Sequence, residues 1–321
     1  MATPLDRFQE LLRIPTVSHA DESLTDWAVF ENFVATLERL YPAMHTTLER
    51  EIVGGHSLLY RWAGAEPGKE LVLMAHQDVV SVTPEEWTHA PFGAEVTGTG
   101  AGTVVNARGA IDDKGSLVAI VEAVEALVAA GFVPAHDVYL AFGHNEETAG
   151  DGAKAIADLL QTRGVTPALI LDEGGAVVDN VLPGLMVPSA MVGVAERGVM
   201  TLDLLVTEAG GHASTPPAFP ATARLARAIG RIHRRPFPTR IAPPVRALLA
   251  SAAPHMTGPL AAVFAKVALT GPLLAQIFAR LGPETDALVR TTAVITELQG
   301  AVGQHVLATS ARASLNVRLL T

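Results

Sequence analysis

Acidic side chains and one histidine follow strand-like segments at several points along the chain. The clearest case is the apolar run from Leu71 to Ala75, which leads directly into His76 and Asp78. Further acidic clusters contain Asp112, Glu146, Glu147, Asp172 and Glu173, and at least two of these clusters also follow strand-like apolar runs. Imidazole and carboxylate groups are ligands of divalent metal ions. Gathered at the ends of strands, they predict metal-assisted hydrolysis.

The first two clusters also have structural interpretations that need no metal. Asp78 can orient the ring of a metal-binding His76, or the two can be a buried histidine and a turn aspartate. Asp112 and Asp113 directly precede a predicted helix, where aspartate is a favoured capping residue. A bridging carboxylate between two cations is the alternative role for Asp112.

The two later acidic pairs leave a similar choice open. Of Glu146 and Glu147, one can bind a metal ion while the other remains a free base, or both can lie in a solvated loop. Asp172 and Glu173 follow another predicted strand, so either can be a ligand, or both can belong to the turn at Gly174. Taken jointly, in this order and at strand ends, the clusters favour a metal site.

The composition narrows the classes of function. Apolar residues make up 49% and charged residues 17% of the 321 residues, which indicates a globular chain long enough for two domains. The formal net charge is −10 without a basic tract, which argues against nucleic acid and anionic membranes as partners. The absence of cysteine excludes disulfides, thiolate zinc sites and cysteine nucleophiles. Because the sequence shows no signal-peptide pattern and no membrane span, we expect a cytoplasmic protein.

Alternating strand and helix patterns predict an α/β domain in the first part of the chain. Strands are predicted at 71–75, 138–142 and 168–171, and helices at 25–40, 114–130 and 153–162. Because helices connect successive strands, we expect a largely parallel sheet flanked by helices. Ligands of such sheets bind outside the carboxyl ends of the strands, where the acidic clusters lie.

The pattern changes near residue 190, where a second, α+β domain is predicted to begin. Strands are predicted at 198–207, 291–298 and 311–320, a helix at 221–234, and helices joined by loops over 236–290. The two late strands are expected to pair antiparallel. The predicted domains are therefore 1–190 and 191–321, with the boundary within 185–195.

The combined motifs resemble the M20 metallopeptidase family, and within it the aminoacylase and carboxypeptidase S-like branch of N-acyl-amino-acid hydrolases. The motifs are Phe8–Ser18, His76–Val80, Arg108–Gly115, Glu146–Glu147, Leu171–Gly175, Gly211–Pro217 and Ala313–Arg318. The resemblance covers nearly the whole chain. It implies a zinc-peptidase-like catalytic domain, a smaller lid and dimerisation domain, and zinc-dependent hydrolysis of an amide bond in N-acyl amino acids or small dipeptides.

The resemblance also implies two zinc ions, with cobalt or manganese as alternatives. His76 and Asp172 would hold the first ion, with Glu173 as the alternative to Asp172. Asp112 would bridge to a second ion held by Glu147.

The remaining roles that the resemblance implies belong to catalysis and substrate binding. Asp78 would orient His76, and Glu146 would be the general base. His212, in the lid, would stabilise the oxyanion, commonly from the partner subunit of a homodimer. Arg318 is the expected anchor for the carboxylate of a small-molecule substrate.

One feature departs from the resembled family, namely that the sequence ends at Thr321, and two rival hypotheses stay open beside the resemblance. Members of that family continue past a strand like the one that ends at Leu320 and supply a late histidine to the second zinc. We therefore expect this chain to bind the first zinc better than the second and to be weakly active or inactive. The rivals are an M28-like aminopeptidase, which shares the order of ligands but lacks the inserted lid, and a non-catalytic dimerisation or binding module.

Overall fold

The computed structural model describes residues 2–179, 181–182 and 184–320. The chain divides into two compact units, Met1–Gly174 and Gly175–Thr321. The division falls earlier than the range 185–195 expected from the sequence. The physical reason is that Leu182 and Leu185 are buried in a cluster with helices of the second unit, so the residues after Gly174 already belong to it.

The first unit contains both helices and strands. Its helices are α1 (Pro4–Leu12), α2 (Trp27–Leu40), α3 (Pro42–Thr47), α4 (Lys114–Ala129) and α5 (Gly152–Thr162). Its strands are β1 (Glu49–Val53), β2 (Ser57–Trp62), β3 (Leu71–His76), β4 (Glu95–Thr97), β5 (Val104–Asn106), β6 (Val138–Gly143) and β7 (Leu169–Leu171). Short 3-10 turns lie at Glu22–Leu24, Pro84–Glu86, Gly100–Gly102 and Glu146–Thr148.

The central sheet of this unit has the strand order β1-β2-β6-β3-β7. Strand β3 pairs in parallel with both β6 and β7, whereas β2 pairs antiparallel with β1 and with β6. The predicted α/β class is confirmed, and the sheet is mixed where a largely parallel one was expected. The tight turn at Gly54 and Gly55, both with positive φ, joins β1 to β2 as a hairpin, which makes antiparallel pairing possible without a crossover helix.

Helices cover both faces of this sheet. Strand β2 alternates its side chains, so Leu58 and Tyr60 enter one core with α1, α2, α3 and α4, and Leu59 enters another with α5. Ile156 and Leu160 of α5 fill the second core. The predicted strands β3, β6 and β7 and helices α2, α4 and α5 are therefore confirmed within one or two residues, while α1, α3, β1 and β2 were not predicted.

The second unit contains another sheet and its own helices. Its strands are β8 (Ala176–Val178), β9 (Ser189–Met191), β10 (Val199–Thr207), β11 (Gly211–His212), β12 (Thr292–Gln299), β13 (Val306–Leu307) and β14 (Ser310–Arg318). Its helices are α6 (Ala221–His233), α7 (Pro243–Ala252), α8 (Pro259–Ala265), α9 (Val267–Leu281) and α10 (Pro283–Ala287), with a 3-10 turn at Ala253–His255.

Strand β14 lies at the centre of an antiparallel sheet with the order β10-β14-β12. The predicted pairing of the two late strands is confirmed. Helix α6 packs Leu225 against Ala311 and Ala313 of β14. A separate core around Leu249 and Phe264 joins α7, α8 and α9.

A helix that spans a membrane must be long and predominantly apolar. Among the described residues, no single helix has the necessary length and apolar composition. Helices α8 and α9 are long and apolar enough only when taken together, and they are bent by 115° relative to each other.

The half-buried His45 gives the first unit a predictable pH response. His45 of α3 places Nδ1 2.8 Å from the carbonyl oxygen of Tyr41 and Nε2 3.0 Å from the hydroxyl of Tyr60. Burial lowers the pKa of His45, so the unfolded chain takes up a proton at a higher pH than the folded chain does. We expect the free energy of unfolding to fall as the pH drops below about 6.5, by at most about 1.4 kcal/mol per pH unit from this residue.

The substitution His45→Gln tests this expectation, because glutamine does not titrate. Urea unfolding of both proteins at about pH 7 and about pH 5.5 should show a flatter pH dependence for the variant. An equal pH dependence in the two proteins would show that other groups cause the acid destabilisation.

Candidate metal centre

The predicted site residues of the first unit lie at one edge of the sheet. His76 is the last residue of β3, Glu146 and Glu147 form a 3-10 turn shortly after β6, and Glu173 follows β7. Because β3, β6 and β7 are parallel, their carboxyl ends meet at the same edge. The topology of the sheet therefore brings together residues that are up to 97 positions apart, since β3 ends at residue 76 and Glu173 follows β7.

Three side chains form a group that could hold a metal ion. The ligand atoms of His76, Asp112 and Glu173 all lie within 4.8 Å of one another. The Nε2 atom of His76 is 2.9 Å from Oδ1 of Asp112 and 3.4 Å from Oε2 of Glu173. Among residues 2–179, 181–182 and 184–320, this is the one group of three such donors.

Asp172 lies outside this group, although the sequence placed it first and Glu173 second. Its carboxylate Oδ1 accepts a hydrogen bond from the backbone N–H of Glu173, at 2.9 Å, and the residue is exposed. Both residues line the cavity beside His76, but Glu173 is the one whose carboxylate lies 3.4 Å from Nε2 of His76. This distance favours Glu173 as the candidate ligand.

Two aspartates hold His76 in place. Nδ1 of His76 is 2.9 Å from the carbonyl oxygen of Asp78 and 3.2 Å from its carboxylate Oδ1. The backbone N–H of His76 donates to Oδ2 of Asp113, at 3.1 Å. Asp113 occupies the N-cap position of α4, yet its side chain does not cap the helix, which corrects the capping interpretation of this pair.

The protonation of His76 tests whether these residues fit a cation. Nδ1 faces two oxygens of Asp78 and carries a proton there, so the lone pair of Nε2 points towards the carboxylates of Asp112 and Glu173. That arrangement needs a positive charge at Nε2, either a proton or a metal ion. Burial acts to lower the pKa of His76, but the surrounding carboxylates outweigh burial and raise it to about 10.

The pKa values of the carboxylates also show that several negative charges lie close together here. Burial raises the pKa of Glu173 to about 7, and the charges of Asp113 and Asp112 act in the same direction. Burial also raises the pKa of Glu147, with the charge of Asp112 adding to it. A divalent cation would neutralise this crowding, so the donor set fits one.

Glu146 lies next to the group without belonging to it. Its Oε2 is 3.9 Å from Nε2 of His76, and its side chain is 54% exposed. Burial and the negative charges of Asp78 and Asp112 raise the pKa of Glu146, against the opposing effect of His76. A carboxylate with a raised pKa beside a cation site can take a proton from water.

Asn145 closes the loop that carries Glu146 and Glu147. Its Oδ1 accepts a hydrogen bond from the backbone N–H of Gly152 at 3.0 Å, and its carbonyl oxygen accepts one from Gly150 at 2.9 Å. A Cβ atom at Gly150 would lie 2.2 Å from the Asn145 side chain, so only glycine fits there. The start of α5 therefore fixes the path of the loop.

The buried Lys114, at the start of α4, ties the N-terminal segment to the same region. Its Nζ donates to the carbonyl oxygens of Leu11 and Ile14, at 3.2 and 2.6 Å, and lies 4.8 Å from the ring centre of Phe33. Burial lowers the pKa of Lys114 to about 7. The loop that carries Asp112 is thereby anchored to the last turn of α1 and to the residues just after it.

The last two predicted residues lie in the second unit. His212 of β11 is exposed, and its Nδ1 is 2.7 Å from the hydroxyl of Ser214. Arg318 ends β14, where its Nε donates to Oδ1 of Asn316 at 3.2 Å and its carbonyl oxygen accepts from Arg197. Both side chains reach solvent, and their predicted roles are taken up below.

A match to a known family agrees with this set of residues. A family model described as Peptidase family M20/M25/M40 matches residues 72–281, which include every member of the three-residue group. The chain belongs to this family. The M28-like alternative finds no support, since the matching family is M20.

Proteins similar to this M20 chain include a hydrolase of fatty-acyl amino acids and a carboxypeptidase S-like protein. The chain is 34% identical over 313 residues to the N-fatty-acyl-amino acid synthase/hydrolase PM20D1 of Xenopus tropicalis, covering 96% of the chain and 60% of that protein. It is 34% identical over 296 residues to the probable carboxypeptidase S-like 2 of Dictyostelium discoideum, covering 91% and 56%. The chain therefore spans 56–60% of the length of these two relatives.

Solved M20 structures share the fold. The M20 family metallo-carboxypeptidase Sso-CP2 of Sulfolobus solfataricus has a TM-score of 0.62 at 20% identity, covering 99% of this chain and 71% of that one. Aminopeptidase PepT of Bacillus cereus has a TM-score of 0.58 at 16% identity, covering 99% and 66%. The mixed α/β architecture is therefore that of M20 peptidases.

An apolar cavity of about 570 Å³ adjoins the candidate metal centre of this M20 chain. His76, Glu146 and Glu173 lie at its wall, and the rest is mostly aliphatic, with Met74 of β3 and Ile156 of α5 among the lining residues. A volume of this size accommodates a small organic ligand.

Reasoning from the sequence missed several residues that shape the centre. They are Ser18, Lys114 and Asn145. Ser18 and Lys114 lie within segments that carry the family resemblance, which is the one signal that could have found them. Their partners are distant in the sequence, so no local pattern shows what they contact.

Proposed function

We propose that the protein is a metal-dependent amidohydrolase that cleaves the amide bond of N-acyl amino acids. One observation carries the proposal: a free carboxylate, Glu146, lies 3.9 Å from His76 at the edge of the His76–Asp112–Glu173 group. Membership of the M20 family and the names of the similar curated proteins support the same chemistry.

The residues in and around the His76–Asp112–Glu173 group have different roles in hydrolysis. His76, Asp112 and Glu173 would hold the cation, which when bound would polarise a carbonyl oxygen and make water a stronger acid. Glu146 accepts a proton from the attacking water and later donates it to the nitrogen of the leaving amine. The products are a carboxylate and a free amino acid, and Glu146 returns to its initial state.

Zinc is the ion we propose, since an imidazole and two carboxylates are ligands it commonly accepts, and cobalt and manganese are the alternatives. Glu147 is the proposed ligand of a second ion shared with Asp112. Asp78 orients the ring of His76, because it binds the nitrogen that faces away from the group.

An N-acyl amino acid is the favoured substrate, and a small dipeptide is the second candidate. The aliphatic wall of the adjoining cavity supports an acyl group. The dipeptide is supported by M20 neighbours in fold, such as human carnosine dipeptidase 1, with a TM-score of 0.51 at 14% identity. In both cases we propose that His212 stabilises the oxyanion and that Arg318 binds the substrate carboxylate. A homodimer and a cytoplasmic location stay predictions, the latter supported by the lack of cysteine.

Metal content and hydrolysis, measured together, test the proposal. We expect about one tightly bound zinc ion per chain, because the described residues contain one group of three donors. With added zinc, N-acyl amino acids should be hydrolysed, and a chelator should abolish the reaction. A panel that varies acyl length at a constant amino acid, with dipeptides alongside, separates the two substrate classes.

The outcomes separate the proposal from its rivals. Zinc binding without turnover on any member of the panel would favour the non-catalytic module. A zinc content near two with full turnover would show that a second site forms and that the expected weakness of this chain is wrong. Turnover that persists after complete removal of metal would contradict a metal-dependent reaction.

A further inference from the structure

The carboxylate of Asp78 is completely buried and has four hydrogen-bonding neighbours. Oδ1 faces Nδ1 of His76 at 3.2 Å and accepts from the backbone N–H of Glu146 at 3.1 Å. Oδ2 accepts from the backbone N–H of Glu147 at 3.1 Å and from the hydroxyl of Ser18 at 2.6 Å. Ser18 supplies the one side-chain hydroxyl among these neighbours, and it is the shortest contact.

Ser18 belongs to a segment that runs beside the residues following β3. We call residues 14–18 the N-terminal strap. The hydroxyl of Thr16 donates to the carbonyl oxygen of Gln77 at 2.6 Å, and the carbonyl oxygen of Thr16 accepts from the N–H of Val79 at 2.9 Å. The N–H of Ser18 donates to the carbonyl oxygen of Val79 at 3.3 Å. The strap therefore follows Gln77–Val79 in register, with Ser18 placed beside the Asp78 side chain.

We propose that Ser18 is a positioning residue for the metal centre. Its hydroxyl fixes the rotation of the Asp78 carboxylate, so that Oδ1 faces His76 and the Nε2 atom of His76 is directed at Asp112 and Glu173. The proposal rests on the proposed function only in taking the His76–Asp112–Glu173 group as a metal site. It adds a residue from the N-terminal strap, 58 positions before His76, to the machinery that sets metal affinity.

The physical basis is the limited number of donors that hold Asp78. Without the Ser18 hydroxyl, Oδ2 keeps only the N–H of Glu147, so the carboxylate is held by three contacts where it had four and its rotation about the bond to Cβ is less restricted. A ligand whose outer hydrogen-bond partner moves binds metal more weakly, commonly by about 10–100-fold. Since Ser18 acts through Asp78, we expect the lower end of that range, about tenfold.

The test compares Ser18→Ala with Thr16→Val in the whole chain. Both variants remove one buried hydroxyl of the strap, but Thr16 donates to a backbone carbonyl and not to Asp78. Zinc affinity is measured on the metal-free proteins by competition with a chromophoric chelator, and the melting temperature of each metal-free protein is recorded beside it. This readout needs no catalytic activity.

We expect Ser18→Ala to weaken zinc binding about tenfold and Thr16→Val to change it less than about twofold, although both lower the melting temperature. Ser18→Thr, which keeps the hydroxyl, should retain the affinity of the unsubstituted chain. Equal losses in Ser18→Ala and Thr16→Val would overturn the proposal, because they would indicate general loosening of the strap. Unchanged affinity in Ser18→Ala, or a loss in Ser18→Thr as large as in Ser18→Ala, would also overturn it. An unsubstituted chain that binds no zinc would overturn the proposed function and this proposal with it.

Discussion

The substitution Glu146→Gln is expected to lower kcat for amide hydrolysis by about 10²–10⁴-fold while the zinc content stays unchanged. The glutamine side chain has nearly the same shape but cannot take a proton from water. Because Glu146 lies outside the three-residue group, the ligands of the cation remain intact. Steady-state kinetics on the best N-acyl amino acid, with elemental analysis of the same samples, measure both quantities.

The neighbouring Glu147→Gln is the matched control for this prediction. It removes the same charge from the same loop, whose backbone stays bound to Asp78. We expect it to lower the occupancy of any second ion and to reduce kcat less than Glu146→Gln does. A larger loss of kcat in Glu147→Gln, or a loss of zinc in Glu146→Gln, would reverse the roles of the two glutamates.

The substitution Glu173→Gln is expected to weaken zinc binding by more than about 100-fold, beyond what the loss of an outer hydrogen-bond partner causes. Glu173 supplies one of the three donors, 3.4 Å from Nε2 of His76, and an amide oxygen is a poorer ligand than a carboxylate. We expect the metal-free chain to be no less stable, because the substitution removes one of several mutually repelling charges. Chelator competition and thermal unfolding of the metal-free protein measure the two effects.

Asp172→Asn provides the comparison within the same turn. Its carboxylate accepts a backbone hydrogen bond from Glu173, and the side-chain oxygen of asparagine can do the same. We expect zinc affinity to change by less than about tenfold, well below the loss in Glu173→Gln. The opposite order of the two losses would restore Asp172 as the ligand.

Local patterns in the sequence were sufficient to predict most elements that position the centre. The apolar stripe of α4 and the apolar runs of β3 and β6 depend on residues near one another in the chain, so their periodicity can be read directly. The hairpin of β1 and β2 was missed. β1 is exposed along most of its length and β2 is almost wholly buried, so neither has the alternating pattern expected of a half-buried strand.

The residue types of the candidate metal centre, an imidazole and several carboxylates, and the family that shares their order could be read from the sequence alone. How these side chains meet depends on the folded chain. The position of Glu173 next to His76, with Asp172 farther away, depends on the path of the chain after β7. The hydrogen bonds of Asp78 join Ser18, 60 positions before it, to Glu146, 68 positions after it. Such contacts depend on the packing of strands and loops in space, and no local pattern of residues encodes them.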